Sequence, residues 1–262
     1  FNVISRNSSN INDRANCAIN IAQIGARRDN PNCDTASTNV VRDIFEVAQN
    51  PDIDIVVELI GGTTVAYDLV MTALKNNKHV VTANKALIAE HGMEIFTVAA
   101  SKGLVVAYEA AVAGGIPIIK GLREGLSANQ VNWVAGIING TTNFILTEMD
   151  TKGRDFNDVL VEAQEKGYAE ADPTFDVEGI DAAHKLVILA SIAFEMPLTL
   201  EGLYTDGITQ LEPQDVAYAK ELGYAIKHLG IARQTKQGVE LRVHPTLVPQ
   251  SSMIAGVNDV AN

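Results

Sequence analysis

The sequence predicts a doubly wound α/β domain in the first part of the chain and an α+β domain in the second. Up to residue 113, continuous apolar runs rich in Val and Ile alternate with amphipathic helical patterns, which is typical of a parallel sheet covered by helices. Beyond that point several helical patterns follow one another before an alternating, strand-like pattern. With 262 residues the chain is long enough for two domains. We expect the boundary between residues 113 and 114.

Glycines mark the ends of the predicted elements in the first domain. Gly61 and Gly62 end an apolar strand, and Gly103 ends the longest helical pattern. The predicted order is helix FNVISRN, strand AINIAQIGA, helix TNVVRDIFEVAQN with Thr38 as its cap, buried strand IDIVVELI, helix TTVAYDLVMTALKNN, strand KHVVTA, helix NKALIAEHGMEIFTVAASKG and strand LVVAYEA.

The first domain lacks one expected feature. A dinucleotide-binding domain of this class normally begins with a strand and a G-x-G-x-x-G turn over the pyrophosphate. No such motif occurs in the sequence. Either the domain does not bind a dinucleotide, or its first strand and loop lie outside the sequence. The prediction is therefore a Rossmann-like parallel sheet that lacks its first strand and glycine-rich loop.

The second domain has a different pattern. Its final segment alternates apolar and polar residues, which favours an antiparallel strand with one exposed face. The predicted order is helix IPIIKGLREGL, strand NQVNWVAGIING, helices over Thr141–Thr151, Phe156–Lys166, Gly179–Phe194 and Gln214–Ile231, and strand VELRVHPTLVP.

Composition excludes several classes of function. The net charge is −12 and no basic run occurs, so neither nucleic acid nor an anionic membrane surface is an expected partner. No apolar run reaches membrane-spanning length. The two cysteines, Cys17 and Cys33, are expected to be reduced thiols in a cytoplasmic protein. The glycosylation sequons at Asn7 and Asn139 then carry no functional weight.

The segment from Gly167 to Phe194 combines acids with one lysine at the start of an apolar helix. Asp181 and Lys185 are four residues apart and share a helical face, on which Glu178 is also expected. One interpretation is a solvated loop, without helical period around Pro173, and a surface ion pair worth a few tenths of a kcal/mol. The apolar rest of the helix must be buried, which favours a functional site instead. The acids are Glu170, Asp172, Asp176, Glu178 and Asp181.

A calcium loop is a second functional interpretation of these acids. The EF-hand pattern fails, because Gly179 as the loop glycine would place Thr174 at the first ligand position and Lys185 at the last. A less regular metal site stays open, although an ammonium among the ligands argues against it.

Other polar residues follow predicted strands, where ligands of open α/β sheets bind. Asn84 and Lys85 are either such a site or a helix cap followed by an exposed lysine. Gly61 and Gly62 permit close approach of a ligand or merely a tight turn. In the second domain, Thr141 or Thr142 is expected to be a helix N-cap.

Five motifs, in this order and at these spacings, resemble those of the homoserine dehydrogenase family. They are VVELIGG, HVVTANKALIAEHG, EAAVAGGIPII, GIINGTTNFILTEM and GYAEADPTFDVEGIDAAHK. The resemblance extends from about Val41 to Val248. It implies reduction of aspartate 4-semialdehyde to homoserine with NAD(P)H, in threonine and methionine biosynthesis. It also implies a nucleotide-binding domain over residues 1–113 and a catalytic and dimerisation domain over residues 114–262.

The resemblance implies roles for the acids and lysines. Lys185 matches the general acid/base, and Lys85 matches an active-site lysine between nicotinamide and substrate. Glu170 and Asp181 match substrate-binding carboxylates. Asp176 matches a further catalytic acid near the reacting centre.

The resemblance also implies a cofactor, a cation and an oligomer. Arg28, with Arg27 as the alternative, would meet a 2′-phosphate and favour NADP over NAD. Further cofactor contacts match Gly61, Gly62, Thr63 and Lys85. A monovalent cation, Na⁺ or K⁺, would be held mainly by backbone carbonyls at Glu109, Val112, Gly114 and Ile116. The family forms homodimers or homotetramers through a sheet, to which NQVNWVAGIIN and VELRVHPTLV would contribute.

Two alternatives remain. The chain could be a dehydrogenase for another amino-acid semialdehyde, which would need a different pattern of acids around Lys185. It could also be a non-catalytic binding or assembly module, a truncated dehydrogenase fold. Against the second alternative, a scaffold has no need of Lys85, Glu170, Asp181 and Lys185 together.

Overall fold

The computed structural model describes residues 1–35 and 38–260. The chain forms two compact units, one of Phe1–Leu87 with His91–Tyr108 and one of Ile88–Glu90 with the chain from Glu109 onward. Within the second unit, both carboxylate oxygens of Glu109 accept backbone N–H groups of residues 119 and 120. The expected domain boundary at 113/114 stays a prediction. Four residues of the two predicted domains, Ala36, Ser37, Ala261 and Asn262, lie outside the described residues.

The first unit contains parallel strands joined by helices, as expected for an α/β domain. Strands β1 and β2 form one parallel pair, and β3, β4 and β5 form a parallel sheet in that order. The elements are α1 (Asn2–Arg6), α2 (Ser8–Ala15), β1 (Gln23–Gly25), β2 (Asn39–Val41), α3 (Ile44–Gln49), β3 (Ile55–Glu58), α4 (Thr64–Lys75), β4 (His79–Thr82), α5 (Lys85–Ser101) and β5 (Val106–Ala107).

The helix predicted in TNVVRDIFEVAQN is wrong in its first part. Val40 and Val41 pair with β1, where β-branched side chains are favoured, and therefore form strand β2. The helix starts only at Ile44, because the Asp43 side chain accepts the N–H of Phe45 and caps it. The predicted Thr38 cap is thus replaced by Asp43.

Strand β3 is buried on one face only, whereas its continuous apolar sequence predicted burial on both. Val56 and Glu58, which share one face of the strand, are buried. Ile55 and Val57 are 51% and 54% exposed on the opposite face. The continuous apolar sequence of β3 therefore does not show that both of its faces are buried.

The second unit is an α+β arrangement around one mixed sheet in the order β6-β8-β9-β7. Strand β8 is antiparallel to β6 and β9, and β7 is parallel to β9. The elements are α6 (Ala110–Ala113), α7 (Ile118–Lys120), a π-helical turn (Gly121–Gly125), β6 (Trp133–Gly136), α8 (Gly140–Lys152), α9 (Phe156–Glu165), α10 (Thr174–Val177), α11 (Ile180–Phe194), β7 (Tyr204–Thr205), α12 (Pro213–Glu221), β8 (Tyr224–Thr235), β9 (Gly238–Pro249) and a 3₁₀ turn (Met253–Gly256).

The helix predicted over Gln214–Ile231 is wrong in its second half. Helix α12 ends at Glu221, and Gly223 adopts a left-handed backbone with φ +83°. The following residues form β8, which is hydrogen-bonded on both sides by β6 and β9. Pairing along two neighbours satisfies the backbone of the whole segment, and this tertiary context overrides its helical spacing. The predicted strand VELRVHPTLVP is confirmed as part of β9.

Helix α11 is buried along most of its length, as its apolar sequence predicts. Leu186, Val187 and Ile188 are at most 1% exposed, and the helix packs on β8 and β9. This packing fixes the first two turns of α11, which carry Asp181 and Lys185. Within the described residues, no helix combines the length and apolar character that crossing a membrane requires.

Candidate active site

Lys185 and Asp181 form a buried ion pair on α11. The Lys185 Nζ lies 2.8 Å from Asp181 Oδ2 and donates a hydrogen bond to the Ile138 carbonyl at 2.9 Å. The exposed fractions of the two side chains are 18% and 5%, so water screens the pair far less than an exposed one. The i,i+4 spacing in the sequence therefore produces a partly buried ammonium held by one carboxylate and one carbonyl.

Asn139 links two acids that come from different helices. It is the N-cap of α8, and its Oδ1 accepts the Thr142 N–H at 2.8 Å. Its Nδ2 donates to Asp176 Oδ1 at 2.8 Å and to Asp181 Oδ2 at 2.9 Å. The expected N-cap role of Thr141 or Thr142 is therefore wrong. Thr141 instead donates to the Tyr168 carbonyl at 2.8 Å.

Asp176 lies on a helical turn, not in an irregular loop as predicted. Residues Thr174–Val177 form α10, and Asp176 Oδ2 lies 3.3 Å from Thr141 Oγ1. The expected position of Glu178 on the face of Lys185 is also wrong. Gly179 interrupts the helix with φ +82°, and Glu178 Oε1 accepts the Thr209 hydroxyl at 2.9 Å instead.

Glu170 lies on the exposed loop between α9 and α10. Gln164 Nε2 donates to the backbone carbonyl of Glu170 at 3.1 Å, which fixes the loop while the carboxylate faces solvent. Asp172 accepts the Thr174 N–H at the start of α10, and its hydrogen bonds with the Thr174 side chain and backbone lower the pKa of the Asp172 carboxyl. The structure thus brings Asp176, Asp181 and Lys185 together and places Glu170 on a neighbouring loop.

This cluster combines an ammonium that is able to give up a proton with carboxylates that attract a cation. Lys185 has three N–H donors, and among the described residues two acceptors engage it, which leaves one donor for a ligand oxygen. The carboxylates of Asp176 and Asp181, which Asn139 joins, supply the negative charge that attracts such a cation. Such a site suits a small substrate that has both an oxygen to be protonated and an ammonium.

The first unit contains a second polar cluster, at the carboxyl ends of β3 and β4. Asn84 is the N-cap of α5, where its Oδ1 accepts the Leu87 N–H at 3.1 Å, and its Nδ2 donates to the Gly62 carbonyl at 2.6 Å. Lys85 is the first residue of α5. Asn84 therefore caps the helix, which was one of the two roles expected for it from the sequence.

The loop after β3 is open to solvent at both glycines. Gly61 and Gly62 have φ +75° and +73°, and a Cβ at either position would meet no atom within 4 Å. Both backbones thus require glycine, and both leave space for a ligand next to the main chain. Thr63 follows as the N-cap residue of α4.

The predicted 2′-phosphate residues, Arg28 and Arg27, are exposed in the loop after β1. Sequence reasoning missed a third arginine there. Arg42 follows β2, donates to the Ala26 carbonyl at 3.1 Å and forms an ion pair with Asp29 at 2.7 Å. Because β1 and β2 are parallel, residues after both strands lie at the same sheet edge, a signal that would have identified Arg42.

The predicted cation-binding segment is organised by Glu109. Its Oε1 accepts the Ile119 N–H at 2.8 Å and its Oε2 accepts the Lys120 N–H at 3.0 Å. Each oxygen keeps a lone pair, so the carboxylate still fits a cation. The described residues contain no group of three His, Cys, Asp or Glu able to hold a metal ion, so a cation here would need backbone carbonyls. The other predicted positions are Val112, Gly114 and Ile116.

Two family models match the chain. The model for "Homoserine dehydrogenase, NAD binding domain" matches residues 2–109, and the model for "Homoserine dehydrogenase" matches residues 117–262. The chain is 66% identical to a homoserine dehydrogenase of Pseudomonas aeruginosa over 262 residues, which covers 100% of the chain and 60% of that protein.

Solved structures agree with these matches. A homoserine dehydrogenase from Thiobacillus denitrificans superposes with a TM-score of 0.94 and 57% identity, covering 99% of this chain and 60% of that one. A hyperthermophilic archaeal homoserine dehydrogenase in complex with NADPH gives a TM-score of 0.70 at 25% identity, covering 83% of this chain and 63% of that one. The chain thus spans about 60% of the length of these relatives.

Proposed function

Because this chain belongs to the homoserine dehydrogenase family, we propose that it serves the NAD(P)H-dependent interconversion of L-homoserine and L-aspartate 4-semialdehyde in threonine and methionine biosynthesis. The proposal concerns the protein at the full length of its relatives, since the chain spans 60% of the relative from Pseudomonas aeruginosa. The observation that carries it is the ammonium of Lys185, held between the Asp181 carboxylate and the Ile138 carbonyl.

Lys185 exchanges a proton with the substrate oxygen. The N–H of Lys185 that neither Asp181 nor Ile138 engages hydrogen-bonds this oxygen. In reduction, Nζ donates its proton to the alkoxide oxygen that develops as the aldehyde carbon is reduced. In the reverse direction, the neutral amine removes the hydroxyl proton. Asp181 orients Nζ through the 2.8 Å ion pair.

The carboxylates bind the other end of the substrate. Homoserine and its semialdehyde carry an α-ammonium, which needs hydrogen-bond acceptors when it leaves water. Glu170 and Asp181 take this role, and Asp176 lies near the reacting centre, where Asn139 and Thr141 hold it. Lys85, the first residue of α5, takes the role of the family's active-site lysine beside the nicotinamide.

NADP binds at the carboxyl edge of the parallel strands, with NAD as the alternative. The nicotinamide cofactor supplies the hydride. Gly61, Gly62 and Thr63 contact it through their backbone, which the open space beside both glycines supports. Arg28, or Arg27 in its place, meets the 2′-phosphate. The NADPH complex of the archaeal relative also supports this cofactor.

A monovalent cation, Na⁺ or K⁺, binds in the segment after β5. Glu109 would supply its carboxylate, and Val112, Gly114 and Ile116 would supply backbone carbonyls. The remaining lone pairs of Glu109 and the left-handed backbone of Gly114, φ +57°, support this assignment. Such a cation would stiffen the segment and not act on the reacting atoms.

The protein forms a homodimer, or a homotetramer built from it, through the sheet of the second unit. Strands β6 and β9 belong to this sheet, and one of its faces presents an exposed Trp133 beside Arg233 of β8. An aromatic residue flanked by arginine is typical of the centre of a protein interface.

The free thiols of Cys17 and Cys33 support a cytoplasmic location.

The test is a substrate assay on the protein at the full length of its relatives. L-Homoserine with NADP should produce NADPH absorbance. The matched control is 4-hydroxybutanoate, which has the same hydroxyl group but no amine, and we expect at least a ~100-fold lower kcat/KM because the carboxylates lose their partner. Turnover of a different hydroxy-amino acid alone would support the other-semialdehyde alternative. No turnover with either NAD or NADP would support the non-catalytic module.

A further inference from the structure

Glu58 is a carboxylate with 0% exposure at the end of β3. Its Oε1 accepts the backbone N–H groups of Ile60 at 2.8 Å and Gly61 at 3.1 Å. Its Oε2 accepts the hydroxyl of Thr82 at 2.5 Å. All three partners are donors, so both oxygens of this buried carboxylate are satisfied.

The hydrogen bonds continue from Glu58 to the start of α5. Thr82 stands opposite Glu58 in the parallel register of β3 and β4. The Thr82 Oγ1 accepts the N–H of Asn84 at 3.0 Å, and Asn84 Nδ2 donates to the Gly62 carbonyl at 2.6 Å. A closed circuit of hydrogen bonds therefore joins the loop after β3 to the loop after β4.

Packing does not hold the loop after β3. Leu59 and Ile60 are 72% and 45% exposed, and a Cβ on Gly61 or Gly62 would touch nothing within 4 Å. Gly61 and Gly62 both have positive φ, and glycine has more backbone freedom than other residues. The conformation of this loop therefore depends on its hydrogen bonds, and Glu58 accepts two of them.

We propose that Glu58 is a positioning residue for the cofactor-binding edge. It fixes the Gly61–Gly62 turn directly and fixes Asn84, and with it the first turn of α5 that carries Lys85, through Thr82. The inference rests on the proposed function only in the identity of the ligand. It also refines the expected role of Gly61, since the N–H groups of Ile60 and Gly61 are engaged by Glu58 and a ligand must use other groups of the loop.

The kinetic test compares Glu58→Ala, Glu58→Gln and Thr82→Val in the protein at the full length of its relatives. Glu58→Ala should raise KM for NADP about tenfold, the effect of losing roughly one net hydrogen bond, while KM for homoserine changes less than about twofold. Glu58→Gln retains an oxygen for Ile60 and Gly61 and should recover most of the affinity. Thr82→Val removes only the hydroxyl that donates to Glu58, so its KM for NADP should rise less than that of Glu58→Ala. The matched control is Glu46→Ala, an exposed carboxylate on α3 of the same unit.

A second readout works on the ligand-free protein and needs no activity. In Glu58→Ala the amide hydrogens of Ile60 and Gly61 should exchange about tenfold faster or more, since their acceptor is gone, while the Thr142 amide in the second unit is unchanged. Unchanged exchange at Ile60 and Gly61 overturns the proposal. Faster exchange throughout both units, or an equal rise of both KM values, overturns it too, because Glu58 is then only a general stabiliser. A wild type that fails to oxidise homoserine refutes the proposed reaction and leaves this exchange result to decide the role of Glu58.

Discussion

At the scale of single residues, the candidate site depends on one side chain that lacks reactive chemistry of its own. Asn139 donates to Asp176 and Asp181 from the same amide nitrogen, and it caps α8 with its oxygen. In the sequence Asn139 is part of a sequon and of the motif GIINGTTNFILTEM, but nothing in the spacing shows that residues 139, 176 and 181 meet. The acids and the lysine were identifiable from their pattern, whereas the group that assembles them was not.

Replacing Asn139 should therefore reduce activity more than stability. In Asn139→Ala the two carboxylates lose their shared donor and repel each other, so we expect kcat/KM for homoserine to fall about 10- to 100-fold. Asn139→Asp keeps the cap but adds a third negative charge, and should be at least as inactive. Steady-state kinetics measures the loss of kcat/KM in each variant, and a thermal melt measures its loss of stability.

The control for this experiment is Asn129→Ala, an exposed asparagine before β6. An Asn139→Ala enzyme with the kinetics of the Asn129→Ala control would show that the bridge between Asp176 and Asp181 has no catalytic importance.

At the scale of elements, helices with long apolar periodicity were predicted correctly. Segments with helical spacing that pair as strands in the structure were not. Helices α4, α5 and α11 have long apolar periodicity, and each occurs where it was predicted. The errors at β2 and β8 share one cause. In both, the segment pairs with strands distant in sequence, and those hydrogen bonds outweigh a local helical spacing.

The start of α11 depends on a left-handed glycine in a crowded place. Gly179 has φ +82°, and a Cβ there would lie 3.0 Å from Val243 Cγ1 and 3.1 Å from His228 Cε1. His228 is itself 2% exposed, and its Nε2 lies 3.0 Å from the Asp206 carbonyl oxygen, so this ring has little freedom to move. Gly179→Ala should therefore destabilise the fold by about 2–4 kcal/mol, combining backbone strain with overpacking.

The matched comparison is Gly153→Ala. Gly153 is also left-handed, with φ +64°, but its Cβ would meet nothing within 4 Å, so strain alone should cost about 1 kcal/mol. Urea unfolding of both variants separates the two contributions. Equal losses of unfolding free energy would mean that the contacts around Gly179 do not determine where α11 begins.

At the scale of the whole molecule, the sequence predicted two domains and the family, but not how the sheet of the second unit is exposed. Trp133 is 64% exposed on β6, and its neighbour across the ladder is Arg233. A large aromatic side chain left in water at the edge of a sheet is accounted for by the proposed dimer. Predicting this from sequence would have required the register of β6 on β8.

The dimer makes a direct prediction for Trp133→Glu. A charge at the centre of the interface should convert the protein to monomers, or weaken association at least ~100-fold, in sedimentation velocity. Leu222→Glu, a 72% exposed apolar residue after α12, is the control and should leave the assembly intact. A dimer that persists in Trp133→Glu with unchanged affinity would exclude this face as the interface.

Proton transfer by Lys185 is tested most directly by measuring turnover of homoserine. The protein at the full length of its relatives receives L-homoserine and NADP, NADPH absorbance is followed, and Lys185→Ala is measured beside wild type and beside Lys236→Ala, a lysine in the exposed β8–β9 turn. We expect a loss of at least ~100-fold in kcat for Lys185→Ala, the usual range for removing a general acid/base, and wild-type kinetics for Lys236→Ala. A Lys185→Ala enzyme that keeps most of its rate would contradict the proton-transfer role, even though the family assignment would stand.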